Sequence, residues 1–62
     1  MKMIKVFNHY KKLIYVQSSR IHEIWDSDSD DFKSVMANHE IGANYYSHLS
    51  PDELAKLINA GE

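Results

Sequence analysis

The stretch DSDSDDF, Asp26 to Phe32, sets carboxylates at alternating positions, the pattern that opens a calcium-binding loop. Asp26, Asp28 and Asp30 fall on the first, third and fifth ligand positions of such a loop. The sixth position must turn sharply and requires glycine, but holds Asp31; the twelfth requires a bidentate glutamate, but holds Ala37. Neither flank has the helical pattern of an EF-hand. The stretch therefore reads as a solvated loop between strands, with an acidic contact surface for a partner as its second use.

Four histidines raise the question of metal: His9, His22, His39 and His48. None forms an H-x-x-x-H or H-E-x-x-H pair, so any site depends on the fold bringing distant residues together. His39 and His48, with Glu40 nearby, are the pair that a hairpin would bring together. Polar residues at turns and strand ends are the favoured reading, and no metal or other cofactor is expected. Nucleophilic catalysis has less support. The chain has no cysteine, no serine stands in a nucleophile elbow, and two glycines cannot build a phosphate cradle. An enzyme is not expected.

The net charge of -2 hides an asymmetry. Residues 1–20 carry Lys2, Lys5, Lys11, Lys12 and Arg20 without a single acid, whereas residues 21–62 set Lys33 and Lys56 against all nine acids. Interleaved in the fold, the two halves neutralise each other; kept apart, they make a dipole. In YKKLIY, Tyr10 and Tyr15 bracket Lys11 and Lys12, the aromatic and cationic mixture of a single-strand nucleic-acid platform. The overall charge lacks the positive field such proteins carry, so a lysine-bearing turn is the expectation and nucleic acid is not the expected partner.

These residues must be positioned by few elements. Sixty-two residues make one domain, residues 1–62, and a chain of that length buries only about 60% of its unfolded surface. In MKMIKVFNHYKKLIYVQ, Ile4 and Val6 alternate with Lys5, and Ile14 and Val16 with Tyr15, which predicts two strands around a polar turn supplied by Asn8. In SSRIHEIW, Ile21 and Ile24 suit one helical turn, whereas Ile21/Glu23/Trp25 and His22/Ile24 suit the two faces of a strand; a strand with an irregular entry at Ser18-Ser19 is the favoured reading. Val35 and Ala37 share one face, HEIG forms a loop in which Gly42 takes a positive φ, and NYYSHL forms another strand. Tyr45 and Tyr46 then point to opposite faces.

The end of the chain carries the clearest local signal. Ser50 is a helix N-cap, Pro51 fits the first helical position, and Glu53 completes a capping box. Leu49 and Leu54 flank it as a hydrophobic staple. Leu54, Leu57 and Ile58 form one apolar stripe that must lie on the sheet, so that Leu57→Asp is expected to unfold the domain. Gly61 stands where a C-terminal cap belongs.

The order of elements resembles the small flagellar FlbD family, also called the SwrD swarming-motility proteins. The matching stretches are MIKVFNHYKKLIYVQSSRIHEI, where that family has a two-strand opening followed by a spaced pair of isoleucines, and NYYSHLSPDELAKLI, where it has a strand, a capped turn and an apolar helix. The resemblance covers about two-thirds of the chain and rests on hydrophobic pattern. It implies a flagellar accessory role. The chain departs from that family in the middle, at NHYKK and from the acidic stretch to Gly42.

The expected architecture is α+β: an antiparallel sheet of three to four strands with one C-terminal helix packed on it. The expected function is a non-enzymatic, cytoplasmic protein-binding module that occupies a larger host protein, of the kind phage and mobile elements use to inhibit host enzymes or defence systems. A small nucleic-acid-binding regulator is a further alternative. The residues assigned to partner contact are Trp25, Asp26, Asp28, Asp30, Asp31 and Tyr45, although for Trp25 a core anchor is the favoured reading because a small domain needs the area. The small core and exposed sheet edges also favour a homodimer. No leader and no membrane span are expected, since the apolar runs are far shorter than the roughly 20 residues a bilayer requires.

Overall fold

The computed structural model describes residues 2–60. Five strands and one helix follow each other as β1 (Met3–Phe7), β2 (Leu13–Gln17), a 3-10 turn (Ser18–Arg20), β3 (Glu23–Asp26), β4 (Ser34–Asn38), β5 (Ala43–Ser47) and α1 (Pro51–Asn59). They form one antiparallel sheet in the order β2-β1-β5-β4-β3. The α+β class is as expected, but the sheet has five strands rather than three to four.

The sheet is a hairpin joined to a three-stranded meander. In the β1–β2 hairpin, the Asn8 side chain accepts the N–H groups of Tyr10 and Lys12, and Lys11 takes a positive φ of 65°. The chain then crosses from β2 at one edge to β3 at the other, passing through the 3-10 turn, and winds back through β4 to β5. Gly42 closes the β4–β5 turn at φ 65°, the left-handed conformation expected of it. β5 meets β1 through a single register pair, Phe7 with Tyr46.

One sheet face carries the core. Ile4, Val6, Met36, Tyr45 and Leu54 are buried together, with Ile14, Val16, Ile21, Ile24, Ala43 and Ile58 packed around them. The helix covers this face with Leu54 and Ile58. Its start is the expected capping box: the Ser50 hydroxyl accepts the Glu53 N–H at 3.2 Å, and Glu53 Oε1 accepts the Ser50 N–H at 3.0 Å. Those hydrogen bonds, the backbone N–H first, hold the Glu53 carboxyl below its ordinary range. Its other end is tied to β1 by the Lys2 ammonium, which donates to the carbonyls of Leu57 and Ala60, the charge sign that a helix C-terminus favours. The expected cap at Gly61 lies outside the described residues.

The apolar stripe needs a correction. Leu54 is fully buried, but Leu57 remains 39% exposed and stands outside the core cluster, so Leu57→Asp puts no charge into the core. Leu49 is likewise exposed. No helix among the described residues is long and apolar enough to cross a membrane.

Candidate functional site

The sheet face opposite the helix is built by the residues that alternate with the core. Each strand sends one residue into a transverse row: Leu13 on β2 pairs with Phe7 on β1, Phe7 with Tyr46 on β5, Tyr46 with Val35 on β4, and Val35 with Trp25 on β3. All five are apolar or aromatic. Around the row, Met3, Leu13, Tyr15 and Trp25 are exposed, Tyr15 at 59% and Trp25 at 43%. Tyr15 lies opposite Lys5, whose side chain is also exposed.

The acidic stretch crosses this face. β1 and β4 both run antiparallel to β5, so they run in the same direction; Phe7 ends β1 on the row that Val35, second in β4, also occupies, and the turn after β1 and the loop before β4 leave that row in opposite directions. Asp31 nevertheless reaches Lys11 in the β1–β2 turn, with 2.8 Å from Lys11 Nζ to Asp31 Oδ2. Next to it, Phe32 is buried on the same face, its ring centroid 5.4 Å from that of Phe7, 5.4 Å from that of Tyr46 and 5.0 Å from that of His48. The segment is thus a strap that roofs the middle of the row and leaves its two ends open. The Lys11 ammonium, first by hydrogen bonding and then by its charge, lowers the Asp31 carboxyl below its ordinary range, and Asp31 raises Lys11 in return.

The serines give the strap its shape. Ser27 Oγ accepts the Ser29 N–H and Ser29 Oγ accepts the Asp31 N–H, both at 3.0 Å, while the Ser27 N–H donates to the Lys33 carbonyl. Alternation in DSDSDDF therefore places turn-forming hydroxyls between carboxylates. Asp26, Asp28 and Asp30 are exposed.

The six residues assigned to partner contact are divided by the fold. Trp25 and Asp26 end β3, with Trp25 exposed rather than in the core; Asp28 and Asp30 are exposed in the loop that follows, and Asp31 lies against Lys11 of the β1–β2 turn. Tyr45 is buried under the helix, where its hydroxyl accepts from Asn38 Nδ2 at 3.3 Å. Its neighbour Tyr46 is the tyrosine on the open face. Strict alternation separates the two, but only the register of β5 against β4 decides which one faces the helix.

The histidines also regroup. His39 and His48 do not meet: His48 packs on Phe7, with ring centroids 4.9 Å apart, whereas His39 stacks on His22 at 5.2 Å. They stand at opposite ends of the β4–β5 hairpin. The His39 N–H donates to His22 Nδ1 at 2.9 Å, His39 Nε2 lies 2.8 Å from Glu23, and Arg20 pairs with Glu40 at 3.2 Å. Nothing in the spacing pointed to His22 as the partner of His39, because β3 and β4 had to be registered first. Among the described residues, no three histidine, aspartate or glutamate side chains converge as a metal would require.

The Lys11–Asp31 and Arg20–Glu40 pairs each join the basic first third to the acidic remainder, so the two halves interleave. Lys11 is thereby drawn away from any platform shared with Tyr10 and Tyr15. Among the described residues a cleft of about 320 Å³ is lined by Lys5, Phe7, Ser47, His48, Leu49 and Leu57. It opens where β1 and β5 part beyond their single pair, and its walls are mostly apolar. No protein-family model, curated protein or solved structure matches this chain.

Proposed function

We propose that this chain is a small non-enzymatic protein-binding domain that acts by occupying a larger protein with the sheet face opposite its helix. One observation carries the reading: Met3, Leu13, Tyr15 and Trp25 stand exposed on a single face along an apolar and aromatic row that, among the described residues, no element but the strap covers. Leaving such side chains in water forgoes about 1.5–3 kcal/mol for each fully buried one, and contiguous apolar exposure on a small domain marks an interaction surface. Tryptophan and tyrosine are the residues that most often dominate protein interfaces. The aspartates beside Trp25 favour a partner with basic groups around an apolar ridge.

The mode of action is stoichiometric, as for an inhibitor or an accessory subunit. The cleft between β1 and β5, about 320 Å³, is near the lower limit of ligand pockets, and its polar lining residues are Lys5, Ser47 and His48.

Trp25 is the only tryptophan in the chain and so reports on its own face. The partner is captured on the tagged protein, purified, and titrated into it while Trp25 emission is followed. The reading requires a saturable one-to-one change with a blue shift, and at least tenfold weaker binding for Trp25→Ala with an unchanged melt. Equal affinity of wild type and Trp25→Ala, Tyr15→Ala and Asp28→Lys with Asp30→Lys would remove the interface from this face.

A further inference from the structure

We propose that β2 is a self-pairing edge, and that two copies of this chain join antiparallel across Tyr15 into one ten-stranded sheet. The inference does not depend on the binding role of the open face.

The two edges of the sheet differ in how they are protected. β3 spans four residues and carries Glu23 and Asp26, so its edge sets acids against any second copy. β2 is LIYVQ, five residues without a charge, a proline or a bulge. Natural edges are blunted by those devices, and an edge that lacks all of them is a template for another strand. Among the described residues, nothing pairs with its outer side.

The direction of its free backbone groups follows from the hairpin. The Asn8 N–H donates to the Lys12 carbonyl, and the Ser18 N–H donates to the Lys2 carbonyl, so these are hydrogen-bonded pairs at the two ends of one register. Hydrogen-bonded pairs recur at every second residue of an antiparallel ladder. Ile14 and Val16 therefore bond to β1, and Leu13, Tyr15 and Gln17 turn their N–H and C=O groups outward.

Three outward residues with a central one make the edge self-complementary. In a two-fold pairing centred on Tyr15, Leu13 of one copy faces Gln17 of the other, and Tyr15 faces Tyr15. All three outward residues of each copy then fall on hydrogen-bonded pairs. No other antiparallel register pairs all of them. On the helix side, Ile14 comes opposite Val16 of the other copy, in the close, non-hydrogen-bonded type of pair. Both are only partly buried in the single chain, so the pairing completes the core at the end the helix leaves thin. On the open side it unites two Met3, Leu13 and Tyr15 patches.

The test measures mass against concentration by light scattering for the wild type and Tyr15→Pro. Proline at 15 removes an outward N–H and leaves the bonds of Ile14 and Val16 to β1 in place. The wild type is expected to approach twice the 7.2 kDa chain mass as concentration rises to millimolar, and Tyr15→Pro to stay at one chain with a retained melt. Should proline disturb the fold, Tyr15→Lys sets like charges opposite each other and is expected to dissociate the pair equally. The chain has no cysteine, so single-cysteine variants add a geometric check. Tyr15→Cys is expected to cross-link under mild oxidation, since facing Cα atoms at about 5.5 Å suit a disulfide, and Glu23→Cys on the other edge is not. A wild type that stays monomeric at millimolar concentration overturns the proposal. So does a dimer that survives both Tyr15 variants, or one that cross-links through Glu23→Cys rather than Tyr15→Cys.

Discussion

Phe7 and Tyr46 are the one register pair through which the β1–β2 hairpin joins the β3–β4–β5 meander. Phe32 packs on both rings, so the strap holds shut a seam that the backbone ladder leaves short. Phe7→Ala is expected to lower stability by about 2 kcal/mol, less than the roughly 3–5 of a fully buried phenylalanine because Phe7 is only half-buried. Its amide-exchange signature is specific. Protection falls first in β1 and β2, as the hairpin opens from the meander. An unchanged urea midpoint would falsify the seam.

Leu54 and Leu57 share the helical spacing but not the environment, Leu54 being fully buried and Leu57 39% exposed beside the β1–β5 cleft. Leu54→Ala is expected to cost about 2–5 kcal/mol, enough to unfold much of so small a domain. Leu57→Asp is expected to keep a cooperative melt within about 1 kcal/mol of wild type. Thermal denaturation of the two variants side by side decides it. A Leu57→Asp chain without a folded baseline would place Leu57 in the core after all.

The parts of this fold that sequence made legible are those where one local rule acts alone. Ser50, Pro51 and Glu53 specify a helix start by side-chain hydrogen bonding, and Ile4/Val6 against Ile14/Val16 specify a hairpin by alternation. β4 was blurred because all five of its residues are buried, so polarity does not alternate along it. Its Met36 stands between Ile24 and Tyr45 in the registers and so faces the helix, with Ser34 and Asn38 on the same side. The open face was half legible. Trp25 and the aspartates adjoin in the chain, but the row from Leu13 to Trp25 needs all four strand registers, and Tyr46 could not be preferred to Tyr45 without them.

Ser34 is fully buried beneath the helix side of β4, and its hydroxyl has no hydrogen-bond partner among the described residues. A buried unsatisfied hydroxyl costs about 1–3 kcal/mol. Ser34→Ala removes it with little change of volume and is expected to raise stability by about 1 kcal/mol, or roughly 4–8 °C in Tm for a domain of this size. Calorimetry checks the sign. A lower Tm would show that the hydroxyl is bonded and contributes to the fold.

Lys11 has two attributes with opposite consequences, an ion pair with Asp31 across the open face and a left-handed backbone at φ 65°. Their hydrogen bond first, and their opposite charges second, lower the pKa of Asp31 and raise that of Lys11, so the sign of each titration is fixed. The contribution through Asp31 is present above its unfolded pKa of about 3.9 and is lost as pH falls through the lower folded value. The contribution through Lys11 is present below about 10.4 and is lost as pH rises through its raised folded value. The strap is therefore tied to the turn across the neutral range and released in acid. Lys11→Gly removes the cation while relieving a conformation that costs a residue with a Cβ about 1 kcal/mol. Both groups are exposed, and an exposed ion pair stabilises weakly, so the melt is expected to hold or rise. The Asp31 titration midpoint, followed by carboxyl-carbon NMR, is expected to move up into the ordinary carboxylate range in the same variant. A midpoint that stayed depressed without Lys11 would assign the shift to another neighbour, and the strap would then have to be held across the sheet by Phe32 alone.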